Sequence, residues 1–165
     1  MGTKELSLEL ESQLSQLHRV EAFIESLCDE YNVYNNYFSN IMVAVTEAFL
    51  NAVIHGNKLN VSKKILLSFK SSSSGLLFTI EDQGEGFDID SIPDPTKEKL
   101  DASNGGRGIY LIKHLSDEVQ FINNGRKIEM LFKISSINYE SSLSRANMFK
   151  EYVSLSVKNA LKSNG

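Results

Sequence analysis

The stretch Val45-Thr46-Glu47-Ala48-Phe49-Leu50-Asn51-Ala52-Val53-Ile54-His55-Gly56-Asn57 is an apolar, helix-forming run interrupted by a carboxylate, an amide and an imidazole. Positions four apart share a helix face, so Glu47 and Asn51 lie together, with Ile54 and His55 about a turn further on. Two readings are open. The pair faces solvent or caps a loop, or it joins a general base to an amide oxygen suited to magnesium, a hard cation that keeps several waters. The helix begins after the Asn- and Tyr-rich residues 31–36 and has Gly56 as its C-terminal stop.

Upstream, Leu6, Leu8 and Leu10 alternate with Ser7 and Glu9, the period of a strand with one buried face. Leu14, Leu17, Val20, Ile24 and Leu27 then follow at helical spacing, predicting a helix of about five turns. Downstream, strands are predicted over 64–70 and 76–81, joined by the polar loop Ser71-Ser72-Ser73-Ser74-Gly75. Ile65, Leu67 and Phe69, with Leu76, Phe78 and Ile80, form the core side of this hairpin. Residues 82–104 hold both prolines, Pro93 and Pro95, and read as loop. A helix is predicted from near Gly106 to about Leu115. A second hairpin, 118–122 and 127–134, turns at Asn123-Asn124-Gly125. The class is α+β, with helices packed on one face of a mixed, mostly antiparallel sheet. Beyond it, Tyr139, Leu143, Ala146, Phe149, Val153, Val157 and Ala160 mark an amphipathic C-terminal helix.

Composition narrows the function. A chain of 165 residues has the length of one domain, and a net charge of −4 argues against a generally basic nucleic-acid binder. Residues 138–165 carry four basic and two acidic side chains, which leaves −6 on the body and suits a protein partner better than nucleic acid. The single cysteine, Cys28, excludes an internal disulfide and a multi-Cys zinc site. With no long apolar run at its start and nothing approaching 18 apolar residues in a row, the chain is expected to be cytoplasmic and free of the membrane.

Two further clusters carry chemistry. In Ile80-Glu81-Asp82-Gln83-Gly84-Glu85-Gly86-Phe87 a strand ends in an acidic residue followed by two glycines, which lets backbone approach a ligand closely or simply makes a tight strand-end turn. The dinucleotide fingerprint is absent, because no third glycine comes three residues after Gly86. In Asn104-Gly105-Gly106-Arg107-Gly108-Ile109-Tyr110-Leu111-Ile112 glycines lead into an apolar helix, whose free N–H groups and dipole suit phosphates; a flexible glycine-led helix start is the plainer reading. No P-loop occurs.

The order of the three clusters resembles the N, G1 and G2 boxes of the GHKL, or Bergerat-fold, ATPases. The small size, the short loop and the run from Glu47 to Asn57 look most like the anti-sigma-factor serine kinases. The resemblance covers residues 5 to 135 or so and implies a kinase domain over 1–137, with an N box at 43–57, a G1 box at 82–88, a lid at 94–104 and a G2 box at 105–112, followed by a helical extension over 138–165. It implies ATP or ADP with Mg2+ as ligands, Asn51 on the ion, Glu47 as general base and Asp82 as acceptor of the adenine amino group. Gly84 and Gly86 would pass the base and sugar, Gly106 and Gly108 would hold phosphates, and His55 would contact the phosphate region or be satisfied by backbone. An aspartate cannot pair with the carbonyl oxygen of guanine, so ATP is preferred over GTP. The implied partners are a STAS-domain antagonist, phosphorylated on serine, and a sigma factor, with a homodimer as the expected assembly.

One departure stands out. Kinases of this kind can carry an arginine just before the G2 glycines, where this chain has Asn104, and Arg107 is the candidate substitute. The competing functions are a nucleotide-gated binding module with little transfer, and the catalytic domain of a histidine kinase, against which stands the lack of a preceding phosphoacceptor helix. Of the remaining residues, His18 and His114 read as surface groups, Cys28 as a core thiol, and Arg19 as a solvated charge or a sigma-factor contact. Leu66, Leu77 and Leu131 fall on the sheet face away from the helices, and residues 139–160 are expected to cover that face or form a dimer contact.

Overall fold

A computed structural model of the protein describes residues 3–33, 36–92 and 106–134, with Asn147, Met148, Lys150, Glu151, Tyr152, Ser154 and Lys158 further on. The expected lid at 94–104, with Asn104 itself, lies outside the described residues, as does most of 138–165.

The sheet begins with β1 (Glu5–Glu11), whose Leu6, Leu8 and Leu10 stand opposite Phe69, Leu67 and Ile65 of β2 (Lys64–Ser72). Burial grows along this edge strand, from Leu6, which is 39% exposed, to Leu10 at 1%. A single 3-10 turn, Leu14–Gln16, takes up the start of the expected helix, so α1 (Leu17–Glu30) has 14 residues, roughly four turns and not five. It buries Val20, Ile24, Leu27 and Cys28.

Helix α2 (Asn36–Asn51) carries the polar-interrupted run and ends in a π turn, Ala52–Gly56. Residues Tyr37–Gly56, with a mean hydropathy of 1.4 in the most apolar window, are long and apolar enough to cross a membrane. That hydropathy belongs to a core helix: Ile41, Ala44, Val45, Ala48, Phe49, Ala52 and Val53 are all buried, and α2 packs against α1, α3 (Gly106–Leu115), β3 (Gly75–Glu81) and β5 (Lys127–Phe132).

The five strands, completed by β4 (Glu118–Ile122), lie in the order β1-β2-β3-β5-β4. Every pairing is antiparallel, where the sequence suggested a mixed sheet. The physical reason is the chain path: two helices between β1 and β2 return the chain in the opposite sense, and β5 slots between β3 and β4. Ser72 pairs with Gly75, so the first hairpin turns on Ser73 and Ser74 alone, and Ser71, expected in the loop, is a buried strand residue. Its hydroxyl accepts hydrogen bonds from the Lys4 backbone N–H (3.1 Å) and the Tyr31 hydroxyl (2.9 Å). Strand β5 ends at Phe132, two residues before the expected limit.

The inner face carries Phe69, Phe78 and Phe132, with successive ring centroids 5.2 and 6.0 Å apart, each worth about 1.5–3 kcal/mol of burial. On the outer face Leu66 is exposed and Leu77 and Leu131 are half-buried among Ser, Thr, Glu and Lys side chains. The chain divides into two compact units, Met1–Lys133 and Ile134–Gly165, and the described residues of the second from Asn147 onward are helical with exposed side chains.

Candidate functional site

Three of the sequence-predicted residues meet where α3 starts beside α2. A methyl group built on Gly108 would lie 2.9 Å from Glu47 Oε2, 3.1 Å from Asn51 Nδ2 and 3.2 Å from Asn51 Oδ1. The absent side chain at 108 is what lets the first turn of α3, with its unpaired N–H groups, sit directly against the carboxylate and amide of α2. Gly106 is buried at the start of α3, whereas Arg107 points to solvent.

Asn51 Nδ2 is buried without a hydrogen-bond partner, a state that costs about 1–3 kcal/mol and that a functional site can retain. Among the described residues no group of three or more His, Cys, Asp and Glu side chains could enclose a metal. One amide beside one carboxylate fits instead a hard cation that draws its other ligands from phosphate and water.

The second arm of the site is Asp82, just past β3 and 9% exposed. Its backbone N–H donates to the Arg126 carbonyl (2.9 Å), extending the ladder with β5, and its Oδ1 accepts from the Gly84 N–H (2.8 Å). A side chain on Gly56 would run into the Asp82 carboxylate, and one on Gly84 would run into the Gly56 carbonyl. The end of the helical run that starts with α2 and the loop after β3 are thus in direct contact. Burial raises the Asp82 carboxyl above the usual aspartate range; the Gly84 N–H and the charges of Arg126 and Lys63 oppose this, and Glu81 adds to it.

The helical run ends at Gly56, as expected, but the glycine is needed there for its contact with Asp82. Left-handed backbone comes two residues later, at Lys58 (φ 53°) and Leu59 (φ 60°), with the Leu59 N–H bonded to the Val53 carbonyl at 2.8 Å. Gly86, at φ 83°, faces the Asn124 carbonyl, so its bare backbone packs against protein. Phe87 follows the same path: its N–H donates to the Asn124 carbonyl (2.7 Å), and a methyl group on Gly125 would lie 2.8 Å from its ring. The β4–β5 turn, left-handed at Asn123, Asn124 and Gly125, therefore anchors the loop after β3. Beside this anchor lies an open hollow of about 510 Å3 lined by Phe87, Ile89 and Phe121 among others.

His55 is exposed within the π turn. His18 and His114 are exposed and bonded to the Ser15 and Tyr110 carbonyls, with His114 also stacked on the Tyr110 ring at 3.9 Å. Arg19 is exposed and donates to Gln16 (2.8 Å). Cys28 is buried. Sequence reasoning gave no role to Asn57, which is 1% exposed, nor to Phe87 and Asn124; the signal for Asn57 was a polar residue closing an apolar helix next to a glycine.

A carboxylate–amide pair under a glycine-led helix, with a buried aspartate at the neighbouring strand end, defines an ATPase domain of the GHKL class. A model described as the histidine kinase-like ATPase domain matches residues 10–132, and the chain belongs to that family. It is 38% identical over 93 residues to the serine-protein kinase RsbW of Oceanobacillus iheyensis, a match covering 52% of this chain and 57% of that protein. Against RsbW of Bacillus licheniformis the identity is 33% over 100 residues, covering 55% and 61%. The matches thus span less than two thirds of either kinase. The anti-sigma F factor of Bacillus thuringiensis is 28% identical over 141 residues, covering 79% of this chain and 95% of that protein. A crystal structure of the RsbU and RsbW domains of a Mycobacterium tuberculosis protein shares the fold, with a TM-score of 0.58 and 16% identity over 79% of this chain and 32% of that one.

Proposed function

We propose that this protein is an ATP-dependent serine protein kinase of the anti-sigma type, which phosphorylates a STAS-domain antagonist and, when free of it, sequesters a sigma factor in the cytoplasm. The observation that carries this reading is the contact of Gly108 with Glu47 and Asn51, because it puts a carboxylate and an amide at the N-terminus of the glycine-led helix. The names of the relatives support the same class.

In this reading ATP supplies the phosphoryl group and Mg2+ neutralises phosphate charge. Asp82 accepts the adenine 6-amino hydrogen. Asn51 offers its amide oxygen to the ion, and the backbone N–H groups at Gly106 and Gly108 hold phosphate oxygens. Gly84 and Gly86 let the loop after β3 pack onto the Gly56 and Asn124 carbonyls, which shapes the protein wall beside the base, while His55 borders the phosphate end. Glu47 orients the attacking serine hydroxyl and takes its proton, acting through placement beside the phosphate. Arg107, exposed in the first turn of α3, is the cation assigned to the terminal phosphate where Asn104 replaces an arginine. Residues 1–137 form the kinase domain, with the lid at 94–104, and 138–165 an appended helix that supports a homodimer.

A second reading, a nucleotide-gated binding module with little transfer, is favoured by Asn104 alone. Incubation with radiolabelled ATP, magnesium and a candidate STAS protein separates the two. The kinase reading expects label on the STAS serine, lost in Glu47→Ala with nucleotide binding kept, and weakened adenine binding in Asp82→Asn. Nucleotide binding without any transfer by the wild type would refute it.

A further inference from the structure

The ladder between β2 and β3 pairs Leu66 with Glu81 and stops there. Continued by two residues, its register would set Lys64 opposite Gln83, yet neither backbone bonds to the other in that way. The Asn57 side chain stands between them: Nδ2 donates to the Lys64 carbonyl (3.1 Å) and Oδ1 accepts from the Gln83 N–H (2.8 Å). The Lys64 N–H is met by the Gln83 side-chain oxygen (2.8 Å). Side chains thus replace a backbone rung and hold the two strands apart at the point where β3 delivers Asp82.

On its other edge β3 is still fixed, by the Asp82 N–H to the Arg126 carbonyl at 2.9 Å. Asp82 therefore lies between a backbone bond to β5 and a wedge on the β2 side. The wedge belongs to the N box, since Asn57 closes the π turn with its own N–H on the Ala52 carbonyl (2.8 Å), six residues after Asn51. Buried and with both side-chain polar atoms satisfied, Asn57 has no conformational slack. A π turn carries the following residues off the α-helical path, which is how a residue so close to Asn51 reaches the sheet edge.

We infer that Asn57 is a positioning residue for base recognition: it props β2 from β3, fixes the Gln83 backbone and thereby aims the Asp82 carboxylate at a purine 6-amino group. This rests on the nucleotide reading for its ligand, though not for its geometry. Asn57 links the half of the site that holds phosphates to the half that reads the base, so discrimination between purines depends on a side chain that touches neither.

The test compares ATP with inosine triphosphate, which has a carbonyl oxygen in place of the 6-amino group, by equilibrium titration of wild type, Asn57→Ala, Asp82→Asn and the double variant. Asn57→Ala is expected to weaken ATP about 10-fold or more, the equilibrium counterpart of losing one or two buried hydrogen bonds. Inosine triphosphate should be nearly unaffected, and the double variant should fall no further than Asp82→Asn. In the free wild-type protein, hydrogen exchange should find the Gln83 amide protected like the ladder amides of β3, a measurement that stands even where Asn57→Ala fails to fold. Equal weakening of both nucleotides, independent addition of the two substitutions, or an unprotected Gln83 amide would overturn the inference. A wild type that binds neither nucleotide yet protects Gln83 overturns the nucleotide reading and with it the recognition role, leaving Asn57 a wedge only.

Discussion

Gly108→Ala separates the chemistry of the site from its stability. A methyl group at 108 meets Glu47 Oε2 at 2.9 Å, against about 3.4 Å for ordinary contact, so the carboxylate must retreat by roughly 0.5 Å. Asn51, at 3.1 and 3.2 Å, must also give by a few tenths of an ångström. Forcing such side chains off their rotamers costs about 0.5–1.5 kcal/mol, while alanine in a helix gains up to about 1 kcal/mol over glycine. The two nearly cancel, and the midpoint of thermal unfolding should move by no more than a few degrees. Catalysis has no such compensation, because a carboxylate displaced by a fraction of an ångström, together with a shifted amide, loses alignment worth about 10- to 100-fold in rate. Circular dichroism melts and initial rates of phosphoryl transfer measure the two effects side by side. A folded variant with wild-type turnover would refute the assignment of Glu47 and Asn51 to the reacting centre.

The Asp82 carboxyl, raised by burial above its unfolded value of about 3.9, binds a proton more tightly in the folded state, so stability present below that pH is lost as pH rises through the folded value. Asp82→Asn does not titrate, and urea midpoints from pH 4 to 8 should find it increasingly favoured relative to wild type as pH rises; a stability difference that stays constant with pH, or moves the other way, contradicts this. Gly125→Ala places a side chain at φ 78° and against the Phe87 ring, and should cost about 1–2 kcal/mol in urea unfolding; an unchanged midpoint would mean that the turn does not anchor the G1 loop. The Cys28 thiol, pushed up to about 11 by burial and the neighbouring Asp29 charge, should resist a thiol reagent at pH 8 until urea unfolds the chain, and rapid native labelling would contradict its burial.

Periodicity made most of the fold legible. The alternation of Ile65, Leu67 and Phe69 with polar neighbours marks β2, and the glycine lead into Ile109 and Ile112 marks α3, whose Gly106–Leu115 limits match expectation. These signals are local, because burial of one face imposes the same period along the whole element. The Glu47 and Asn51 pair was equally legible, since helix geometry alone puts them on one face. What escaped depended on distant chain segments meeting. Gly56 ends the helical run as expected, but its contact with the Asp82 carboxylate has no local signal, and Gly86 looks like a ligand cradle until the Asn124 carbonyl is found there. The π turn that carries Asn57 to the sheet edge adds a residue to a turn, and no spacing of apolar residues marks it.

In the proposed function this site binds ATP with its phosphates at Asn51 and the start of α3 and its adenine on Asp82. Calorimetric titration of ATP and GTP into the purified protein, with and without magnesium, tests it most directly. Saturable ATP binding is expected, which magnesium strengthens, which Asn51→Ala frees from magnesium dependence, and which exceeds GTP binding by about 10-fold or more, the equivalent of one mispaired buried hydrogen bond. No binding, or equal binding of ATP and GTP, would contradict it.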